Sequence, residues 1–347
     1  MNGSSRRDFL AAIAAACGAG VAGFGYLSHT QEDEVILGGG GGEDNPRFEA
    51  LSPISGGTAV AGGEVEGYGT LAGGVERDGS ELVVTNRHVV DADYPDSDDD
   101  EVVGNEFRQP WNSEPVGEVV DVGRSKGTQA TDWALVELDD SDLWTPRTIA
   151  LPDVAGTTEV DPGDRIVMSG ARTGLIGGEV TDVGVSRNWL GTILNGVIEY
   201  RVDENVDTAG NSGSWVAKIN DTGGLEVVGI HTFADGDYRY AIPIDDLPGD
   251  VEFPSEGEIP TPDDSPAFVE GAIEDVDDVA TVVVANVGGT AVDGRTVELR
   301  NDSGEVVASD SLQLDPLGET VLQLETDAEL PLVLDTGDVE RSTNWDF

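Results

Sequence analysis

Apolar and polar positions change their rhythm several times along this chain. Phe9 to Leu27 carries no charged residue and is rich in Ala and Gly. From about Leu51 to Phe253 the pattern becomes short β-branched runs punctuated by Gly, Asp and Asn. These are 81–85, 117–122, 134–138, 165–169, 178–185, 197–202, 215–219 and 227–230. Each has strand length, and no helical periodicity accompanies them, which predicts a β-sandwich or barrel domain over 51–253. Four prolines at 254, 260, 262 and 266, set among acidic and small residues, predict a stiff solvated linker over 254–266. Beyond it, 280–287, 296–299, 305–314 and 319–324 alternate as half-buried strands do, with a turn at Asn286 to Gly289. A second, smaller β unit over 267–347 follows. The fold class read from the pattern is all-β.

Composition changes the picture in one respect. Asp and Glu number 69 against 18 Lys and Arg, a formal charge of −51. Such a surface repels nucleic acid and anionic bilayers, so no nucleic-acid partner is expected. The acids are interspersed with Val, Ile and Leu from about Glu32 onward, as on a folded surface coated with carboxylates rather than in a tail. Only Lys126 and Lys218 are lysines. The surface resembles that of proteins from extreme halophiles, whose self-repulsion is screened once the Debye length falls to about 3 Å in molar salt.

The N-terminus, Ser5-Arg6-Arg7-Asp8-Phe9-Leu10 before the apolar stretch, has the pattern of a twin-arginine signal over 1–28. It implies the twin-arginine export machinery as a partner and an extracellular or cell-surface location. Residues 9–27 are long enough to anchor the protein in a membrane if uncleaved. The lone Cys17, after Ala14, Ala15 and Ala16, loosely resembles a lipoprotein processing site, and it has no intramolecular disulfide partner. Residues 29–50, with Gly38 to Gly42, predict a flexible tether. That glycine run lacks a following Lys or helix and is no phosphate loop. The run Asp96 to Glu101 lacks the glycine a calcium loop needs at its sixth position, so it reads as a solvated acidic loop. No cofactor and no metal are expected.

Three histidines limit imidazole chemistry to His29, in the tether, His88 and His231. His88 ends a β-branched run, Asp132 opens the run Trp133-Ala134-Leu135, and Ser212 lies in Gly210-Asn211-Ser212-Gly213. A serine hydroxyl is a weak nucleophile until a base takes its proton, and that base needs a partner to fix its tautomer. The order His, Asp, Ser and the absence of G-x-S-x-G exclude an α/β-hydrolase, whose order is Ser, acid, His.

The segments Thr85 to Val89 (T-x-x-H-V), Asp132 to Leu135 (D-x-A-L) and Gly210 to Gly213 (G-x-S-G) resemble those of trypsin-like serine peptidases of the chymotrypsin fold, with bacterial glutamyl endopeptidase and housekeeping branches nearest. The resemblance implies a double six-stranded β-barrel, followed here by a unit similar to immunoglobulin-like adhesion modules. It implies His88 as base, Asp132 as its orienting acid, Ser212 as nucleophile and the N–H groups of Gly210 and Ser212 as oxyanion hole. Asn211 stands where digestive members carry the aspartate of their activation ion pair, which puts that switch in doubt. Asp207, Thr208, His231 and Thr232 fall on the specificity-pocket segments. His231 with Thr208 offers a seat for a carboxylate, Asp207 opposes one or favours a basic residue, and His231 as a pocket residue without selectivity stays open. The function expected is an exported serine endopeptidase acting on protein or peptide substrates. The alternative is a catalytically inactive surface binding protein that uses barrel and sandwich for adhesion; a purely structural role gives no reason for the glycine-rich nucleophile turn.

Overall fold

The computed structural model describes residues 46–342 apart from 64, 66, 128–129, 204–205, 221, 255–256, 258–265, 277–278 and 327–330. The signal at 1–28, the tether up to residue 45 and most of the 254–266 linker lie outside the described residues, as do Cys17 and His29.

Leu82, Val83 and Val84 form a continuous apolar run because their strand is covered on both faces. Leu82 and Val84 join one core cluster, and Val83, pointing the other way, joins a second. Antiparallel pairing leads from Gly73–Arg77 to Ser80–Thr85, Ala134–Leu138, Pro115–Val122, Glu106–Arg108 and Ala59–Gly62. Ala59–Gly62 then pairs with Gly69–Thr70, which leads directly into Gly73–Arg77. The N–H of Leu71 to the Thr58 carbonyl and the N–H of Ala72 to the Val84 carbonyl bridge the gap. The sheet therefore closes on itself as a barrel. Its interior holds Val60, Val83, Phe107, Val119 and Val136 from five of its strands, with Leu71 from the segment between Gly69–Thr70 and Gly73–Arg77.

A second ring of six closes through Arg165–Gly170, Gly174–Trp189, Thr192–Val202, Tyr238–Pro243, Leu225–Asp235 and Trp215–Ile219, the last pairing back with the first. Its filling includes Ile166, Val180, Ile198, Val216, Val228 and Ala241. All eight strands read from the 51–253 pattern are present. The long Gly174–Trp189 and Thr192–Val202 hairpin extends well beyond the runs that announced it.

Val269–Val276, Val279–Asn286 and Glu319–Glu325 form one small sheet, and Val306–Leu314, Val292–Arg300, Val333–Asp335 and Glu340–Ser342 another. They enclose a common core of Val282, Val284, Val297, Leu299, Leu312 and Leu334, which makes a sandwich. This sandwich is packed onto the barrels. Ala272, Val283, Ala285 and Val287 share a core with Leu82, Leu135, Val167, Trp215 and Ala217.

Two short helices, Arg87–Val90 and Asp99–Val102, interrupt the β architecture. The second takes up the end of the acidic run 96–101, whose Asp96 and Asp98 to Glu101 are exposed as a solvated acidic segment requires, although its last residues are helical rather than loop. The buried Arg87 guanidinium gathers the carboxylates of Asp91 and Asp99 and the Ser97 carbonyl. Glu101 folds back to accept the Asp98 N–H at 3.1 Å. A charged Arg buried without acceptors is costly, so the acidic run closes around it.

Candidate active site

The strand Ser80–Thr85 delivers His88 at the first barrel's rim, and Asp132 lies two residues before Ala134–Leu138 begins, the strand paired beside it. Neighbouring strands thus bring together residues 44 apart. His88 Nδ1 lies 2.6 Å from Asp132 Oδ2, and the His88 backbone N–H donates to Asp132 Oδ1 at 3.0 Å. Asp132 is fully buried. The two contacts hold ring and backbone of one residue to one carboxylate, which fixes Nδ1 as the protonated nitrogen and leaves Nε2 to face outward. Asn86 supports the pair by donating to the Asp132 carbonyl at 2.5 Å and to the Thr232 hydroxyl at 3.3 Å.

Ser212 sits in a turn that requires its glycines. Gly210 has φ +95° and Gly213 has φ +102°, and a Cβ on Gly213 would stand 2.0 Å from the Thr70 carbonyl oxygen. The turn is sewn to the strands around it: the N–H of Gly213 reaches the His231 carbonyl, and the N–H of Thr70 reaches the Ser212 carbonyl at 2.6 Å. That last bond ties the second barrel's turn to the first barrel. A Cβ on Gly69 would meet both the Val89 side chain and the Ser212 carbonyl oxygen, so the residue after His88 and the Ser212 backbone flank the same glycine. The Ser212 hydroxyl donates to the Thr232 carbonyl at 3.0 Å rather than to His88. Among the described residues, the N–H groups of Gly210 and Ser212 have no acceptor.

Asn211 is held without any ion pair. Its Oδ1 accepts the N–H groups of Arg172 and Thr173 at 3.1 and 3.2 Å, and its amide donates to the Thr173 hydroxyl at 2.7 Å. A Cβ on Gly170 would collide with this amide at 2.2 Å, so Gly170 makes the approach possible.

The pocket residues divide. His231 is buried, its Nδ1 lies 2.7 Å from the Tyr200 hydroxyl, and burial, helped by nearby Arg239 and His88, pushes its pKa down to about 3. It is a neutral imidazole at physiological pH. Thr208 is buried with its hydroxyl unpaired among the described residues. Asp207 is exposed and carries an ion pair to Arg172 at 3.1 Å. The charge that set Asp207 against an incoming carboxylate is therefore partly countered, by a residue the sequence did not single out. Thr232 offers its carbonyl to Ser212, and its hydroxyl bonds the Ile230 carbonyl at 3.2 Å.

Sequence reading also missed Trp189. Its ring meets His88 edge-on at 4.8 Å and stacks on Phe233 at 5.2 Å, and the Tyr94 ring lies 5.5 Å from Trp189 and 6.2 Å from His88. These aromatics wall one side of the imidazole away from water. The available signal was a Trp-Leu pair at a hairpin tip, where large apolar residues are out of place unless something covers them.

Several solved structures and one family profile are similar to parts of this chain. In solved structures, Thermobifida fusca protease A is 18% identical over 58% of this chain and 99% of its own, with a TM-score of 0.45. A glutamic acid specific serine protease described as using a histidine triad in substrate binding is 20% identical over 55% of this chain and 94% of its own, at 0.42. Cellulomonas bogoriensis chymotrypsin is 17% identical over 58% and 99%, at 0.42. No curated protein matches the chain. The Trypsin family profile matches residues 49–244, more than half of the chain and all of the region that carries His88, Asp132 and Ser212, and the chain belongs to this family of serine peptidases.

Proposed function

We propose that this protein is an exported serine endopeptidase that cleaves peptide bonds through His88, Asp132 and Ser212. The observation that carries the reading is the double hold of Asp132 on His88, ring and backbone together, beside a serine in a glycine-built turn.

In the first half of the reaction the Ser212 hydroxyl leaves the Thr232 carbonyl for His88 Nε2, and Oγ attacks the scissile carbonyl carbon as its proton passes to Nε2. The carbonyl oxygen becomes an oxyanion facing the N–H groups of Gly210 and Ser212, each such donor contributing about 3 kcal/mol. His88 then returns the proton to the leaving amine, the C–N bond breaks, and an acyl-Ser212 ester remains. A water, deprotonated by His88, hydrolyses that ester and restores the serine. Asp132 stabilises the imidazolium in both halves.

The residue preferred before the scissile bond meets a neutral His231, the Thr208 hydroxyl and an Asp207 already engaged by Arg172. This supports recognition by hydrogen bonds more than by a fixed charge. Export by the twin-arginine route rests on the Arg6-Arg7 pattern and the uncharged stretch after it, and adaptation to high salt on the charge of −51.

The test is labelling of the protein in molar salt with a fluorophosphonate, which forms a covalent adduct only with an activated serine. Wild type is expected to label, and Ser212→Ala and His88→Ala are not. A folded wild type that stays unlabelled sinks the peptidase reading and favours the binding-protein alternative. Peptides with Glu, Gln, Leu and Arg before the scissile bond then separate the pocket readings.

A further inference from the structure

The turn 171–173 and the paired strand ends that flank it, together the 169–175 loop of the hairpin Arg165–Gly170 to Gly174–Trp189, lie between the nucleophile turn and the C-terminal sandwich and are hydrogen-bonded to both. On its active-site side, the N–H groups of Arg172 and Thr173 and the Thr173 hydroxyl hold Asn211, the residue before Ser212. The N–H of Ala171 donates to the Thr70 hydroxyl, which in turn donates to the Gly210 carbonyl. The loop thus sets the positions of both residues that precede the nucleophile.

On its far side the sandwich supplies two buried charged residues. Glu270 accepts the Leu175 N–H at 2.8 Å, and Arg341 donates to the Thr173 carbonyl at 3.0 Å. Glu270 is itself pinned by Arg47 at 2.8 Å, with side-chain exposures of 5% and 0%. The other arm of Arg47 reaches Ser169, where the loop begins, at 2.9 Å. A Cβ on Gly174 would lie 2.4 Å from the Glu270 carboxylate, so that glycine admits the acid to the loop backbone. The sandwich also shares its apolar core with the barrels through Ala272, Val283 and Ala285, so these polar contacts sit in a packed interface.

We propose that the C-terminal sandwich is an intramolecular clamp on the nucleophile turn, with Glu270 and Arg341 as positioning residues that act through the 169–175 loop on Asn211 and Ser212. The proposal rests on the peptidase reading. Where a charged aspartate and an ion pair would lock this turn, Asn211 is neutral, so the lock is moved outward to the far side of the loop. There Arg341 holds the Thr173 carbonyl, Glu270 the Leu175 N–H and Arg47 the Ser169 hydroxyl, and these contacts flank the Arg172 and Thr173 N–H groups that the Asn211 amide accepts. Strand pairing of Ser169 with Leu175 and of Gly170 with Gly174, together with the bonds from Arg341 and Glu270, leaves the 171–173 turn little freedom, and a displacement of about 1 Å at a nucleophile costs roughly 10²-fold in rate.

The experiment compares full-length wild type with Arg341→Met and Arg341→Lys in molar salt. The folded fraction is read from tryptophan fluorescence, and kcat and KM are expressed per folded molecule. Arg341→Met is expected to lower kcat roughly 10²-fold with KM nearly unchanged, because substrate still binds while the nucleophile is misplaced. Arg341→Lys, which keeps a donor near the Thr173 carbonyl, is expected to recover most of the loss. Should the methionine variant not fold, Arg341→Gln, too short to reach that carbonyl, repeats the test. An active wild type with unchanged kcat in the folded Met or Gln variant overturns the clamp alone. A folded wild type that no fluorophosphonate labels overturns the peptidase reading and the clamp with it.

Discussion

Arg47 and Glu270, 223 residues apart in sequence, meet at 2.8 Å with both side chains shut away from water. The pair joins the start of the described chain to the first strand of the sandwich, and it brings no net charge into the interior. Breaking a buried pair by removing one partner leaves the other charge uncompensated, at a cost of about 3–5 kcal/mol. Glu270→Ala is therefore expected to lower the denaturant midpoint sharply in molar salt. Arg47→Met with Glu270→Leu is expected to cost much less than the sum of the single changes. Additive losses in that cycle would mean that the two groups are not coupled.

Asp132→Asn keeps an acceptor for the His88 backbone N–H but presents the ring with the wrong tautomer partner. Folding is expected to be unchanged and kcat to fall by about 10⁴-fold. The check is steady-state kinetics beside a thermal melt; a fall of less than tenfold removes Asp132 from the mechanism.

Gly213→Ala puts a side chain at φ +102° and drives its Cβ into the Thr70 carbonyl oxygen. Backbone strain and the clash together are expected to cost about 3 kcal/mol or more and to abolish fluorophosphonate labelling. Retention of both stability and labelling would show that the nucleophile turn relaxes freely.

His231 gives the fold a pH dependence of defined sign. Its pKa is near 3 when folded against an ordinary 6.5, so between those values the unfolded chain takes up a proton that the folded one refuses. Its contribution is fully present above pH 6.5 and is lost as pH falls toward 3. At pH 5 the loss from this residue is about 2 kcal/mol. His231→Gln, which keeps a polar partner for Tyr200, is expected to flatten the fall in stability between pH 7 and 5 by that amount. Parallel pH profiles for the two proteins would exclude His231 as the source.

With 69 acidic residues, repulsion within the folded state grows as the Debye length lengthens from about 3 Å at 1 M salt to about 30 Å at 0.01 M. Near-ultraviolet circular dichroism and the unfolding midpoint are expected to decline as salt is removed and to recover when it is restored. An unchanged midpoint across that range would remove high-salt adaptation from the reading.

The sequence by itself determined what local rules write. Period-two burial and runs such as Leu82-Val83-Val84 marked the strands, and glycines on either side of Asn211-Ser212 marked the tight turn that carries Ser212. His88 and Asp132 were legible because each sits at the edge of a run whose strand could be read. Tertiary structure alone decided which carboxylates meet which guanidinium groups, since 69 acids and 16 arginines offer many pairings and no local signal selects among them. Arg172 on Asp207, Arg87 on Asp99, Arg47 on Glu270 and Trp189 against His88 all depend on where the closed sheets bring distant segments. The docking of the sandwich onto the 169–175 loop is of the same kind. Its strands follow from alternation, but the groups they carry across the interface are matched only once both cores have formed.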